Sequence, residues 1–506
     1  MIRFMDNQLN KITMYRLVLY ALIFLLGAAF FLSVSGQLSY DPWALVFSVA
    51  FILAVSWITN LVFSRTFGVP ANVESVYISA LILALIITPI SSAGDLWFLG
   101  WAAVLAMASK YLLAPGGKHV FNPAAFAVAL MYLTVNQSAT WWVGSGPMLP
   151  FVLPAGLLIV RKLGRFDLVL SFLATALGIT MFVDLFTATS FLATLQKVLL
   201  YSPLLFFAFI ILTEPLTTPP TRRWRILYGV IVGLLFTPQL HFGGFFVTPE
   251  LAILIGNVFS FIVSPKSRLL LRIKERNRLT PDTYEFVFAA PPRFKFQPGQ
   301  YMEWTLGHDR PDERGNRRYF TLASAPTEHN IRLAVKFYKN SSSFKRAMLS
   351  MNRESVLIAS QLAGDFVLPD DPGQKCIFIA GGIGVTPFRS MIKYLLDRRQ
   401  RRPITLFYAS TRMEDIVYKD IFDRAQMELG IRTIYTVSDN RNLPAGWTGK
   451  VGRITPELIR ATVPDYRNCI FYISGPRGMV DSFKDEINRL GTPGLEIRTD
   501  YFAGLA

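Results

Sequence analysis

Apolar residues dominate the first 265 positions and form ten long runs separated by short polar segments. The runs cover residues 15–35, 43–63, 75–90, 96–114, 121–135, 149–162, 168–187, 198–213, 226–240 and 250–264. Several approach the roughly 20 residues that a helix needs to cross a bilayer, and the shorter ones also suit buried helices of a bundle. The pattern predicts an all-α membrane bundle of about ten transmembrane helices.

The rest of the chain alternates apolar and polar positions over short distances. Four strand-like runs separated by turn residues predict a small antiparallel β-barrel. They cover residues 301–306, 317–324, 331–338 and 355–362. From Lys375 the order becomes strand, glycine turn and helix, which predicts a Rossmann-like α/β domain with a parallel sheet. Three domains are therefore predicted, at residues 1–265, 266–372 and 373–506.

The number of charged residues changes at the same place in the chain as the hydropathy does. Residues 1–265 carry 13 lysines and arginines against 8 acidic residues, whereas residues 266–506 carry 38 against 26. Ten spans would leave both ends of the bundle on one side, and twelve of its thirteen basic residues fall on that side, with Lys197 as the exception. Because basic residues favour the cytoplasmic side, we expect a multi-pass protein of the cytoplasmic membrane whose C-terminal half lies in the cytoplasm.

Few residues are available for metal chemistry. The two cysteines, Cys376 and Cys469, are too few for a typical iron–sulfur cluster and are predicted to be buried small hydrophobes. Haem would need paired histidines within helices, but only His119 and His241 lie in the apolar half, at opposite membrane faces of the predicted topology. The sequence predicts neither a metal site nor a nucleic-acid partner.

A cation, an aromatic ring and a hydroxyl lie close together in the run RRYFTLAS. Strand alternation places Arg318 and Phe320 on one face, whereas Thr321 needs a bend or twist to reach the same ligand. A flavin suits all three, because an aromatic ring stacks on its flat ring system, a guanidinium binds its phosphates and a hydroxyl bonds the nitrogen that accepts hydride. An aromatic strand in a barrel core has the same pattern, so the triplet alone leaves both interpretations open.

The order of motifs after residue 266 resembles the ferredoxin–NADP reductase family. Six segments carry the resemblance: PGQY (298–301), RRYFTLAS (317–324), NSSSFK (340–345), GGIGVTPF (381–388), ISGPRGM (473–479) and RTDYF (498–502). The resemblance implies a FAD-binding barrel, an NAD(P)-binding α/β domain and NAD(P)H-dependent oxidoreductase activity. The glycines between a strand and a helix would also let the backbone approach a diphosphate closely.

The same resemblance implies the site residues. Binding of FAD or the nicotinamide nucleotide is expected at Arg318, Phe320, Thr321, Ser324, Ser342, Ser343, Gly381, Gly382, Gly384, Thr386, Pro387, Gly475, Pro476, Met479, Tyr501 and Phe502. Thr321, Phe320 and Ser474 are expected beside the reacting atoms. Phe320 replaces a more common tyrosine and Ser474 a usual cysteine. Hydride transfer should survive both changes, because the flavin carries the chemistry.

The choice between NADH and NADPH depends on the segment YASTRMEDI (408–416). Arg412 is suited to a ribose phosphate, whereas Glu414 and Asp415 would repel one. The balance favours NADH slightly.

Four membrane segments together resemble the flavin-carrying membrane proteins of the sodium-pumping NADH:quinone oxidoreductase and of the Rnf electron-transport complex. They are ITPISSAGD (87–95), KHVFNPAAF (118–126), ILTEPLTTPPTRR (211–223) and PELAILIGNVFS (249–260). Met148 stands where those proteins carry the threonine that tethers FMN, and Thr140 lies out of register with that position. The resemblance thus implies a non-covalent FMN or riboflavin, lined by segments around Asn122 and Thr213. Helix caps and kinks at proline would explain the same residues.

The resulting hypothesis is a membrane flavoprotein that passes electrons from NAD(P)H through FAD to a membrane carrier. A quinone or a flavin protein would then accept them, within a complex that has further subunits or alone. In an alternative, the membrane half is an anchor or transporter and the reductase serves a soluble partner. A flavin-binding sensor without turnover is a third possibility.

Overall fold

A computed structural model describes residues 5, 8–9, 12–68, 73–184, 190–237, 241–242, 245–264, 268–292, 294–309, 311–312, 314–441, 443–489 and 496–500. The chain forms two compact units, Met1–Arg268 and Leu269–Ala506. We call them the membrane unit and the reductase unit, and the reason for the second name follows from its site.

Helices make up most of the described membrane unit, and each predicted apolar run coincides with helical structure. The helices are Met14–Val34, Pro42–Thr66, Val73–Ile86, Asp95–Leu112, Pro123–Val135, Leu149–Leu163, Phe166–Asp184, Phe191–Tyr201, Leu204–Phe206, Arg222–Phe236 and Pro249–Val263. A π-helical segment, Phe207–Ile211, continues the helix that starts at Leu204. Strands β1 (His241–Phe242) and β2 (Phe245–Phe246) form a short antiparallel pair.

Two features explain these helices: side-chain caps at their first residues and apolar side chains on their exposed surfaces. The side-chain oxygens of Thr13, Asp41 and Thr248 each accept the backbone N–H three residues further on, which satisfies a donor that a helix start leaves free. In Met14–Val34, Leu22 and Leu25 are fully buried, but the intervening Ile23 and Phe24 are about half exposed. A helix that is apolar all round is typical of a membrane span.

Fewer helices qualify as spans than the sequence predicts. In the described residues four are long and apolar enough: Met14–Val34, Pro42–Thr66, Gly146–Leu163 and Phe166–Val183. A fifth arises if Phe191–Tyr201 and Leu204–Ile211, which are bent by 63°, count as one broken span. The prediction of about ten spans therefore exceeds the four or five that length and composition support. The difference lies in the short apolar runs, which form helices of fewer than 18 residues or, at residues 95–112, a less apolar one.

The first part of the reductase unit is the predicted antiparallel sheet. Its strands are β3 (Leu269–Thr280), β4 (Thr283–Ala289), β5 (Tyr301–Thr305), β6 (Arg317–Thr321), β7 (Asn330–Lys336) and β8 (Val356–Ala363). They pair in the order β6-β5-β8-β3-β4-β7. The sheet curls, because the N–H of Ala323, two residues after β6, donates to the carbonyl of Arg332 in β7 at 2.9 Å. Apolar side chains such as Phe286, Trp304 and Phe344 fill its interior.

The second part is the predicted parallel sheet. Its strands are β9 (Cys376–Gly381), β10 (Ile404–Ser410), β11 (Arg432–Val437), β12 (Lys450–Val451), β13 (Ile470–Ser474) and β14 (Ile497–Thr499). They pair in the order β12-β11-β10-β9-β13-β14. The helices of the reductase unit are Ser343–Leu349, Thr386–Arg398, Lys419–Leu429, Pro456–Thr462 and Arg477–Arg489.

Alternation along β9 supplies the cores on both sides of the parallel sheet. Phe378 packs in one cluster, and Ile377 and Ile379 pack in the other. Strands buried on both faces are expected in a parallel sheet covered by helices. Cys376 and Cys469 are both buried and free, and burial raises the pKa of their thiols to about 12 and about 11. They are the small buried hydrophobes that the sequence predicts.

Candidate functional site

Arg318 is buried in the part of the site that is predicted to bind the flavin phosphates. One of its terminal nitrogens, Nη1, donates to the carbonyls of Arg314 at 2.8 Å and Gly315 at 3.2 Å, and its guanidinium carbon is 5.2 Å from the centre of the Phe344 ring. The other terminal nitrogen, Nη2, is buried and has no hydrogen-bond partner among the described residues. A buried guanidinium with a free donor is suited to an anion, since forked charge-assisted bonds bind phosphate strongly.

Further positive charge surrounds this guanidinium. Burial lowers the pKa of Arg318 to about 10, although Asp312 opposes the shift. Burial also lowers the pKa of Lys345 to about 8, and the charges of Arg318 and Arg314 add to the effect. Lys345 Nζ is 5.8 Å from the centre of the Phe320 ring and 5.7 Å from that of the exposed Tyr338. Such mutual repulsion would be relieved by a bound anion.

The predicted serines lie at the start of the helix Ser343–Leu349, beside these cations. Ser342 caps the helix by accepting the N–H of Lys345 at 3.3 Å. The Ser343 N–H donates to Oδ2 of Asp312 at 2.9 Å, and the Ser343 hydroxyl oxygen accepts the Asp312 N–H at 2.9 Å. Asp312 Oδ1 is 3.7 Å from Arg318 Nη2. A carboxylate therefore lies between a helix start and an arginine, which shows that this place suits an anion.

Strand β6 distributes its side chains as alternation predicts. Arg318 and Phe320 are both buried on the face that contacts Phe344, whose ring centre is 6.2 Å from that of Phe320. Thr321 points elsewhere and donates to Oδ2 of Asp500 at 3.3 Å. The three predicted flavin residues thus lie together on one strand, with the hydroxyl directed to a different neighbour from the ring.

Asp500 joins the two halves of the site. Its Oδ2 accepts the Ser474 hydroxyl at 3.2 Å as well as that of Thr321, so the two predicted hydroxyls meet on one oxygen. Its Oδ1 is buried without a hydrogen-bond partner in the described part of the chain. Burial raises the pKa of Asp500 to about 7, and the hydrogen bonds from Ser474 and Thr321 oppose the shift.

The two predicted glycine segments touch each other at the carboxyl ends of β9 and β13. A Cβ at Gly384 would lie 2.5 Å from the Cα and the N of Gly475, and one at Gly381 would lie 2.3 Å from Sδ of Met479. Gly382 has a φ of +51° and open space around a Cβ. Backbone of this kind, after a strand and before the helix Thr386–Arg398, allows the close approach that a diphosphate needs.

The remaining predicted residues of these segments take different places. Thr386 and Pro387 are buried in the first turn of the helix, whereas Pro476 is exposed beside Gly475. Ser324 is fully buried, and its Oγ accepts the N–H of Arg332 at 3.2 Å. Tyr501 and Phe502 lie outside the described residues.

This geometry fits a flavin beside a nicotinamide nucleotide. Arg318, Lys345 and the serine segment would hold the flavin phosphates, and Phe320 and Thr321 would lie beside its ring. Gly381–Gly384 and Gly475 would hold the nucleotide. The orphaned Nη2 of Arg318 and the absent Cβ atoms at the glycines are the features of this structure that support the fit.

The segment predicted to distinguish NADH from NADPH contains more acid than base. Arg412 donates to Glu414 at 2.9 Å and lies 3.8 Å from Asp439, the residue two positions after β11. Arg441 donates to the same Asp439, and this pairing lowers the pKa of Asp439 to about 2. Both arginines are thus already paired, and Asp415 adds a further negative charge.

Three polar segments predicted in the membrane unit meet in one cluster. The Asn122 side chain accepts the N–H of Ala125 at 3.0 Å and donates to Glu214 at 2.9 Å, while its backbone N–H donates to Asn257 at 2.8 Å. Asn257 in turn donates to the hydroxyl of Tyr228 at 2.9 Å. We call Asn122, Glu214, Tyr228 and Asn257 the membrane polar cluster.

The other membrane residues singled out in the sequence are buried or form hydrogen bonds with neighbouring residues. Thr213 is buried, and its hydroxyl donates to the carbonyl of Phe209 at 2.7 Å, a bond within its own helical segment. Met148 is fully buried, and Thr140 bonds to Thr88 and to the carbonyl of Ile86. Asn122 therefore has contacts that reach other segments, whereas Thr213 chiefly satisfies its own backbone.

Sequence reasoning missed Asp500, Lys345 and Asp312. Asp500 and Lys345 lie inside the segments RTDYF and NSSSFK, so these two motifs could have identified them as site residues. Asp312 lies in a polar loop with no motif, and only the fold brings it to Ser343.

Two family models match this chain. Residues 143–265 match the NQR2, RnfD, RnfE family, and residues 378–485 match the oxidoreductase NAD-binding domain. The first match covers the second part of the membrane unit, and the second covers most of the parallel sheet of the reductase unit.

Curated relatives match the reductase unit. NADH-cytochrome b5 reductase 1 of Ajellomyces capsulatus is 27% identical over 251 residues, which is 47% of this chain and 80% of the relative. The glycine betaine monooxygenase reductase subunit of Chromohalobacter salexigens is 24% identical over 41% of this chain and 56% of the relative. The crystal structure of an Amycolatopsis cytochrome P450 reductase aligns with a TM-score of 0.42 at 22% identity, over 47% of this chain and 70% of that one. The reductase unit is therefore an NAD(P)H-dependent FAD oxidoreductase module, and residues 143–265 of the membrane unit are similar to the NQR2, RnfD, RnfE family.

Proposed function

We propose that this chain oxidises NADH at the reductase unit and delivers the electrons through FAD to a carrier in the membrane unit. A quinone or a flavin protein then receives them. The observation that carries the proposal is the meeting of Thr321 and Ser474 on one buried carboxylate, Asp500. This contact brings the flavin strand β6 and the nucleotide strand β13 to the same point, where a hydride donor and acceptor must meet.

Each group at this point has a distinct task. FAD, when bound, supplies the ring that accepts hydride and releases single electrons. Arg318 and Lys345 neutralise the flavin phosphates, and the Ser343 N–H becomes available to them when Asp312 moves aside. Gly384 and Gly475 let the nucleotide approach the backbone. Asp500 fixes the two hydroxyls.

NADH is the proposed donor. Arg412 and Arg441 are both engaged with carboxylates, so a 2′-phosphate would meet Glu414, Asp415 and Asp439 without a free cation. Like charges close together disfavour binding. The Ajellomyces relative is an NADH-cytochrome b5 reductase, which agrees with this choice.

The proposed carrier in the membrane unit is a non-covalent FMN or riboflavin near Asn122 and Thr213. Its support is the membrane polar cluster, since buried side-chain donors and acceptors inside a membrane domain mark functional sites. In this proposal the apolar helices of the membrane unit embed in the cytoplasmic membrane, and the reductase unit lies on the cytoplasmic side. A hydrocarbon core of about 30 Å is long for a single electron step, so transfer to the far side needs such an intermediate carrier.

Flavin content and acceptor activity test the proposal together. Purified full-length protein should release FAD and a second flavin in equal amounts on denaturation, and it should reduce quinone with NADH. One FAD per chain, with full activity towards a soluble acceptor and none towards quinone, would overturn the electron path through the membrane unit.

A second candidate function is supply of electrons to a soluble protein. The two curated relatives align with 47% and 41% of this chain, and one of them is the reductase subunit of a monooxygenase. In this case the membrane unit is an anchor or transporter, and variants of Asn122 leave every electron-transfer rate unchanged.

A further inference from the structure

A buried ion pair connects the barrel to the α/β domain within the reductase unit. Glu328 lies between β6 and β7, and Arg389 lies on the helix Thr386–Arg398. Both terminal nitrogens of Arg389 donate hydrogen bonds to the Glu328 carboxylate, and the bond from Nη2 to Oε1 measures 3.0 Å. Arg389 is 4% exposed, and the Glu328 side chain is 12% exposed. A two-point pair of this kind fixes orientation as well as distance.

Two further bonds join the same helix to the end of the flavin strand. Arg389 Nη1 donates to the carbonyl of Ala323 at 2.9 Å, and the Ser390 hydroxyl donates to the carbonyl of Ser324 at 2.6 Å. Ala323 and Ser324 directly follow Thr321 and Leu322. On the other side, the helix begins directly after Gly384 and Val385, at the end of the nucleotide segment. One turn of helix therefore separates the nucleotide segment from its attachment to the flavin strand.

A second layer of charges supports the pair. Arg332 of β7 donates to Glu328 at 3.1 Å and to Glu285 of β4 at 2.6 Å. Tyr418 from the α/β domain donates to the same Glu285 at 2.9 Å, and its ring centre lies 5.3 Å from the guanidinium carbon of Arg389. The network thus crosses the domain boundary twice, and its charged side chains, Arg389, Glu328, Arg332 and Glu285, are not among the residues predicted to touch a cofactor.

We propose that Arg389 and Glu328 are positioning residues, which we call the interdomain clamp, and that they set the distance between nicotinamide and flavin. The proposal rests on the proposed function. In the step that the clamp serves, a hydride, which is one proton with two electrons, leaves the reduced nicotinamide and joins the flavin ring, and the nucleotide is left oxidised. The clamp touches neither partner. It acts by holding the helix that carries the nucleotide segment against the strand that carries Phe320 and Thr321.

This role predicts a specific kinetic pattern. Hydride transfer depends steeply on alignment, and a displacement near 1 Å costs on the order of a hundredfold in rate. Nucleotide binding depends chiefly on the α/β domain, and FAD binding depends on the barrel, so neither equilibrium should change much. A loosened clamp should therefore lower the rate of flavin reduction while the dissociation constants for NADH and FAD stay nearly constant.

The test uses full-length protein and stopped-flow flavin reduction by NADH and by NADH deuterated at the transferred position. Glu328→Gln preserves shape and removes the charge. We expect the limiting reduction rate to fall about tenfold to a hundredfold, the apparent Kd for NADH to stay within about twofold and the isotope effect on turnover to increase. Glu428→Gln is the matched control, because Glu428 pairs with Arg424 inside one exposed helix. The control should reduce its flavin at the wild-type rate.

A double variant distinguishes positioning by the pair from two separate effects. If the pair acts as one unit, Glu328→Gln combined with Arg389→Gln slows flavin reduction no more than the more damaging single change. Arg389→Lys, which keeps the charge but loses the two-point geometry, should also slow reduction and serves if the glutamine variants do not fold. Wild-type reduction rates in Glu328→Gln and Arg389→Lys, each with bound FAD, would overturn the clamp. Failure of the wild-type protein itself to be reduced by NADH would instead overturn the proposed function.

Discussion

The two units of this chain carry their chemistry in different ways. In the reductase unit, most functional groups lie in short motifs, and the motifs meet at the carboxyl ends of β9 and β13 beside the flavin strand. In the membrane unit, the polar residues are single side chains on separate segments of the chain, and they meet only in the folded protein, as Asn122, Glu214 and Asn257 do. Motifs close in sequence therefore reveal a site directly, whereas dispersed polar residues reveal one only after folding.

The largest expected effect concerns the contact between the two glycine segments. Gly384→Ala would place a Cβ 2.5 Å from the backbone of Gly475, which forces the segments apart. We expect kcat/KM for NADH with ferricyanide to fall about a hundredfold while FAD content stays constant. Gly478→Ala is the control, because nothing lies within 4 Å of a Cβ at that position. An unchanged kcat/KM in Gly384→Ala would show that the glycine contact has no part in nucleotide binding.

The next effect concerns retention of FAD. Arg318→Ala removes the buried guanidinium whose Nη2 has no hydrogen-bond partner among the described residues. Since a hydrogen bond to a charged group contributes about 1.5–3 kcal/mol, the Kd for FAD should rise at least about tenfold. Fluorescence of released flavin after gel filtration measures the loss. Arg353→Ala, at an exposed arginine, should retain FAD as the wild type does. Equal retention in both variants would contradict the phosphate site.

A smaller effect separates the two units. Asn122→Ala removes a helix cap, for which about 1 kcal/mol is typical, and also breaks the membrane polar cluster. We expect NADH:quinone activity to fall severalfold while NADH:ferricyanide activity stays at the wild-type value. Thr134→Ala, on the same helix, is the control, because its exposed hydroxyl donates to the carbonyl of Leu130 within the same helix. Equal loss of both activities would mean that Asn122 serves overall stability and not the electron path.

The smallest effect is a pH dependence centred on Asp500. Its carboxyl is neutral below about pH 7 in the folded protein and charged above it. Reduction adds negative charge to the flavin, and an ionised Asp500 carboxylate beside it would repel that charge. The rate of flavin reduction should therefore decline as pH rises through about 7. Because the pKa of Asp500 is higher in the folded than in the unfolded protein, the free energy of unfolding falls as pH rises. The fall begins at about pH 4, where the carboxyl of the unfolded chain ionises, and ends at about pH 7.

Asp500→Asn should remove both dependences, because the amide does not titrate. Asp481→Asn, which changes an exposed acid paired with Arg477, should keep both. Stopped-flow rates and thermal melting between pH 5 and pH 9 measure the two effects. An inflection near pH 7 that persists in Asp500→Asn would assign the ionisation to another group.

Strand and helix positions were largely predictable because the pattern of apolar residues decides them locally. The predicted run RRYFTLAS became β6, and the glycine turn after Lys375 became the start of the helix at Thr386. The number of spans was not predictable in this way. Hydropathy alone does not distinguish a short apolar helix buried inside a bundle from one that crosses the bilayer, and Pro123–Val135 is one such helix.

The site was predictable where it depends on backbone and less so where it depends on side-chain partners. Glycine turns show their positions in the sequence, whereas the meeting of Thr321, Ser474 and Asp500 joins residues up to 179 positions apart. Likewise, nothing local to Arg389 indicates that Glu328 is its partner. Long-range polar pairs follow from the fold, and a single sequence carries little information about them.

Anaerobic titration of the purified full-length protein with NADH tests the central claim most directly. The account predicts a yellow protein whose flavin absorbance bleaches rapidly, with uptake of more electrons per chain than FAD alone can hold, followed by reoxidation when quinone is added. A protein that is colourless after FAD is supplied, or whose flavin stays oxidised in excess NADH, would contradict it.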